Sequence, residues 1–137
     1  MATYTKFNAF VENLAEKVHN LGADSLVVAL SNTAPTATNA VLTDITQISY
    51  TNLSSRALTV SSSAQTSGTY KLVLSDLTLT ASGAVATFRY IIIYNDTPTS
   101  PADPLIAFYD YGSSITMANG ETFTLDFDGT NGLFTLA

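Results

Sequence analysis

The chain has 137 residues, a formal net charge of −6 and no cysteine, so it has the size of one domain and can form neither a disulfide framework nor a thiolate metal site. Charged residues are only 12% of it, and five cations (Lys6, Lys17, Arg56, Lys71 and Arg89) face eleven acids. Affinity for phosphate backbones and anionic membranes grows with lysine and arginine, so this balance argues against nucleic acid and membrane as partners.

The chain opens on Met1-Ala2-Thr3-Tyr4-Thr5 with no basic stretch leading into an apolar run, so no signal peptide is expected. Residues 5–21 then carry Phe7, Phe10, Val11, Leu14, Val18 and Leu21 at helical spacing. This stripe predicts one amphipathic helix docked on a sheet, with Thr5 as N-cap and Gly22 as the left-handed residue that ends it.

From Ser25 the period switches to two. Leu26–Leu30, Leu58–Val60, Tyr70–Leu74 and Leu77–Leu79 read as strands. Phe88, Tyr90, Ile92 and Tyr94 are expected on one face of the next strand, with Arg89, Ile91 and Ile93 on the other. Both faces are largely apolar, so this strand should be central and covered on both sides. Leu105–Tyr111, Thr122–Phe127 and Leu133–Leu136 complete the set, and Asp128–Gly132 has the turn residues of a hairpin between the last two. Ser31–Ala40 and the proline-rich Asn95–Pro104 read as loops. Serine and threonine number 35, of which 21 are threonine, and threonine suits the solvent face of a pleated sheet. The whole predicts a mostly β fold over residues 1–137, a single β-sandwich or jelly-roll-like domain from about residue 25, preceded by the helix. The longest apolar run, around Tyr90–Tyr94, is too short to span a bilayer.

The sequence offers no expected catalytic, cofactor-binding or metal-ligating set. His19 is the only histidine, lies off the stripe and reads as a solvated helix residue. No Gly-x-Ser-x-Gly elbow accompanies it, and no glycine-rich loop precedes a helix. Asp126 and Asp128, with Asp110 or Glu121, could gather oxygens for calcium, but the loop pattern and its closing glutamate are absent. The plainer expectation has Asp126 facing solvent and Asp128 starting a turn. Tyr90, Tyr94, Tyr109 and Tyr111 fall on two strands that look adjacent, as either an aromatic core or an interface.

Several stretches together resemble small structural proteins of tailed-bacteriophage virions. They are Thr5–Glu16 (TKFNAFVENLAE) with Val18–Leu21, Leu30–Pro35 (LSNTAP), Ser67–Leu74 (SGTYKLVL), Phe88–Tyr90 leading to Tyr94–Thr97, and Asp110–Thr116 with Gly120–Phe123. The resemblance covers nearly the whole chain and describes a fold, not an active site. It implies a protein without enzymatic activity that is made in the host bacterial cytoplasm. The expected role is that of a capsid decoration (cement) protein, a homotrimer on the outer virion surface that bridges subunits of the major capsid protein. The alternative is a tail or fibre component that binds a host receptor or glycan, with Ser31–Ala40 and Asn95–Pro104 as tip loops.

Overall fold

A computed structural model of the chain describes residues 2–137. Its elements in chain order are β1 (Thr3–Lys6), α1 (Asn8–Ala15), β2 (Leu26–Ser31), a 3-10 turn (Leu42–Asp44), β3 (Val60–Thr66), β4 (Thr69–Leu74), β5 (Leu77–Thr80), β6 (Val85–Asn95), β7 (Leu105–Met117), β8 (Thr122–Leu125) and β9 (Phe134–Leu136). A four-stranded antiparallel sheet has the order β1-β7-β6-β2. The remaining strands form a β3-β4-β9 sheet and a β5-β8 ladder. The fold is mostly β and sandwich-like, as expected.

Two apolar clusters lie between these sheets. One gathers Phe10, Leu21, Leu72, Leu74, Ile93, Ile106 and Leu133, and the other Val28, Leu30, Leu79, Phe88, Ile91, Met117 and Leu125. Leu58, Tyr109 and Phe127 pack against both, which joins them into one core. A third cluster lies on the outer face of the four-stranded sheet, where Phe7, Leu42 and Ile45 cover Ala29, Ile92, Tyr94 and Phe108. β6 is therefore covered on both faces, and its second cover is the segment after β2 rather than a helix. Ser31 ties that segment down: its hydroxyl, fully buried, reaches the carbonyls of Thr33 and Thr46.

The helix is shorter than its stripe predicts. Thr5 belongs to β1, Phe7 takes the N-cap position without a side-chain cap, and α1 ends at Ala15. Lys17, at φ +68°, is the left-handed residue. The Val18 amide bonds the Asn13 carbonyl and the Lys17 amide bonds that of Leu14, a Schellman closure that needs no glycine. The stripe then divides. Phe7 turns to the outer face and Phe10 enters the space between the sheets, while Val11 stays 52% exposed.

The strands depart from expectation as well. Tyr90 lies opposite Asp110 but Phe88 lies opposite Ile115, so Arg89 alone faces the bulge Tyr111–Ser114. The β6–β7 register is irregular at this point, and β6 itself changes face across Arg89. Phe88 accordingly joins Ile91 on the inner face, away from Tyr90, Ile92 and Tyr94. The same bulge, with Gly112 at φ +95°, carries β7 well past Tyr111, to Met117. The Asp128–Gly132 segment is a turn but not a hairpin, because β8 pairs with β5 and β9 pairs with β4. Likewise only Val60 of the Leu58–Val60 stretch enters β3.

Candidate functional site: an aromatic groove at an open strand edge

The acids singled out in the sequence do not converge. Among the described residues no three His, Cys, Asp or Glu side chains are grouped as a metal site would require. Asp128 starts a turn, its Oδ1 accepting from the Thr130 and Asn131 amides at 2.8 Å and its Oδ2 from the Asn131 side chain at 2.7 Å. These bonds hold its carboxyl below the usual carboxylate range. Asp126 is exposed. Asp110 turns to Arg89 in a two-pronged pair, Oδ1 to Nε at 2.8 Å and Oδ2 to Nη2 at 3.0 Å, and also accepts from the Gly112 amide. Glu121 caps the Ala118 amide at 2.8 Å.

His19 overturns its expectation. It is 6% exposed, with its ring 5.2 Å from that of Phe10. Asn95, fully buried at the end of β6, fixes its state. The Asn95 Oδ1 accepts from the Thr97 amide, so its Nδ2 is the donor and serves both Asp24 Oδ2 at 2.7 Å and His19 Nδ1 at 3.0 Å. His19 Nδ1 is therefore an acceptor, and the ring proton sits on Nε2, which is buried without a partner. Burial pushes the His19 pKa down, and the Asp24 charge opposes that in part. The cluster fastens the Asn20–Asp24 turn to the start of the proline-rich loop. That loop is held again by the Ser25 amide on Thr97 Oγ1 and the Asp96 amide on the Ser25 carbonyl.

The tyrosines divide between the two faces of the sheet. Tyr90 and Tyr94 join the outer cluster, whereas Tyr109 lies opposite Ile91 and faces inward. Tyr109 and Tyr111 instead form one wall of a groove of about 370 Å³, with Ala2 and Ile91. The other wall is the consecutive run Phe123–Phe127. Edge-to-face pairs order the aromatics: Tyr111 on Phe123 with centroids 5.4 Å apart, and Tyr4 on Tyr109 at 5.4 Å. Burial, with Tyr4 and Asp128 adding to it, pushes the Tyr109 hydroxyl up to about 12, so it stays a neutral donor. Tyr111 is 44% exposed at the rim.

A second groove lies on the side of β1 and β9. Tyr4, Val11 and Leu136 line it together with Leu14 and Phe134. These three and Tyr111 are the large apolar side chains that stand exposed among the described residues. The sheet edges here differ from that of β2, whose outer side is closed by the segment 48–58. There the Ile48 and Leu58 amides bond the carbonyls of Leu30 and Leu26, and the Val28 amide bonds that of Arg56. In the sequence only Tyr109 and Tyr111 pointed toward the aromatic groove. Phe123 and Phe127 read as one face of a strand. No family model, no curated protein and no solved structure gives a significant match to this chain.

Proposed function

We propose that the chain is a non-enzymatic structural protein of a tailed-phage virion, a decoration protein that associates with itself as a trimer and binds the outer surface of the major capsid shell. The observation that carries the reading is the gathering of exposed apolar side chains on one side of the sandwich, where Tyr4, Val11 and Leu136 share a groove between β1 and β9. Exposed large apolar groups that adjoin one another mark contact surfaces, and sheet edges without a covering segment invite a neighbouring chain. The wider surface is Thr- and Ser-rich: β3 is exposed along Ser61–Thr66, and Thr78–Thr124 and Thr87–Thr116 pair across strands at 3.2 Å. The resemblance in the N-terminal and central motifs supplies the virion setting.

The test is cryo-electron microscopy of virus particles that contain the chain. Knobs at the three-fold positions of the shell are the expected result. Density confined to the tail or its fibres would overturn the capsid assignment and favour receptor binding. Sedimentation velocity supplies the second reading. Val11→Asp and Leu136→Asp should lower the assembly state, and an unchanged state would remove this edge from the interface.

A further inference from the structure

We propose that the aromatic groove is a strand-addition site, in which an extended segment of another protein, carrying lysine or arginine beside apolar residues, lies along the free edge of β8. The groove shares no lining residue with the β1–β9 groove, although the Tyr4–Tyr109 pair joins the two, and the proposal holds whether the chain sits on a capsid or elsewhere. Successive residues of a strand point to opposite faces, so a groove on one face would touch alternate residues. This groove touches Phe123, Thr124, Leu125, Asp126 and Phe127 in succession, so it runs along the backbone edge. β8 pairs with β5 alone, through Thr122–Leu125 against Leu77–Thr80, and nothing among the described residues pairs with its other side. Alternate amides and carbonyls of β8 therefore face the groove, the arrangement that an added strand completes. Phe123 and Tyr111 offer apolar surface to its side chains.

Charge identifies the occupant. Asp126 stands on the wall of the groove, and Asp76 and Asp128 flank Phe127, the former accepting its amide at 2.9 Å. All three are exposed. The one ion pair among the described residues, Arg89–Asp110, uses none of them. Lys71 acts on Asp128 from a distance, its ammonium held by the Thr130 carbonyl at 2.8 Å. Of the three, only Asp126 lines the groove, with Asp128 near enough to act on Tyr109, while Asp76 extends β5 on the paired side of β8. This acidic wall beside an apolar floor favours a cationic segment over an acidic one. The exposed Tyr111 ring adds a face on which a guanidinium or ammonium can rest.

The experiment uses the full chain and four fluorescent peptides of about eight residues that alternate Val or Ile with a second residue type. The second type is Lys/Arg, Glu or Ser, and the fourth peptide is the basic one with a central proline, which breaks a strand ladder. The expected result is that the basic peptide binds more than ten-fold tighter than the acidic and proline forms. It should also slow amide exchange at residues 122–126. Asp126→Lys, a change at an exposed position, should weaken it about five-fold or more. Val11→Asp and Leu136→Asp should leave it unchanged, which separates this site from the self-association edge. Equal binding of all four peptides, no binding, or protection elsewhere would overturn the proposal. So would protection of residues 122–126 that grows with protein concentration alone, since the occupant would then be a second copy.

Discussion

Gly132→Ala should be among the most damaging single-methyl changes in this protein. Gly132 has φ +78°, and a Cβ built there would lie 2.5 Å from the Leu72 carbonyl oxygen and 2.8 Å from Lys71 Cγ. The carbonyl has little freedom to retreat, because the Leu133 amide already bonds it at 2.7 Å and Leu72 is fully buried. The left-handed backbone alone costs a non-glycine residue about 1–2 kcal/mol. Displacing a buried carbonyl from its donor adds about 1–3 kcal/mol. The sum is roughly 2–5 kcal/mol, a large part of the 5–15 kcal/mol typical of a domain. Gly68 provides the control, since it has φ +83° but no atom within 4 Å of its Cβ position. Gly68→Ala should therefore lose only the backbone part, about 1–2 kcal/mol. Urea denaturation of both variants, at an unchanged slope, measures the difference. If Gly132→Ala lies within about 0.5 kcal/mol of Gly68→Ala, the close approach of the Asp128–Gly132 turn to β4 does not carry the stability assigned to it.

Neighbouring helix positions should behave oppositely. Phe10→Ala, at 2% exposure between the sheets, should cost about 3–5 kcal/mol, whereas Val11→Ala should stay within about 0.5 kcal/mol in the same denaturation assay. His19 sets a pH dependence. Its folded pKa lies below the ordinary value of 6.5, so just below pH 6.5 the unfolded chain binds more protons and stability falls as pH falls, down to the folded value. Denaturation midpoints across this range should show that slope in the parent chain and a flatter one in His19→Phe; equal slopes would refute the neutral, Asn95-bonded imidazole. Asp44, Asp110 and Asp128 have carboxyl groups held low, Asp44 and Asp128 by backbone amides first and Asp110 by Arg89. Their contribution is present above the usual carboxylate range and should vanish only as pH falls through their lowered values, a separate acid transition in the same titration.

Local pattern reached far into this fold. The change from helical to alternating spacing near Ser25, the apolar runs of β2, β4 and β6, and the turn chemistry of Asp128 all follow from short-range rules, because strand alternation and turn preferences are properties of a few adjacent residues. The sequence by itself also determined the low-charge, threonine-rich surface. What tertiary structure decided lies where distant residues meet. The helix stops at Ala15, closed by the left-handed Lys17, and Leu21 and His19 are drawn into the interior beyond it; no periodicity announces that competition. The bulge opposite Arg89 exists only in the pairing of β6 with β7, so the reassignment of Phe88 was invisible in β6 alone. His19 looked solvated because its partners, Asp24 and Asn95, include one that is far away in the chain. The aromatic groove joins Ala2, Tyr109 and Tyr111 to Phe123–Phe127, and its open edge is defined by which strands β8 does not pair with. Residue types set what each segment can do; contacts made across the chain set which of those capacities are buried, paired or left facing solvent.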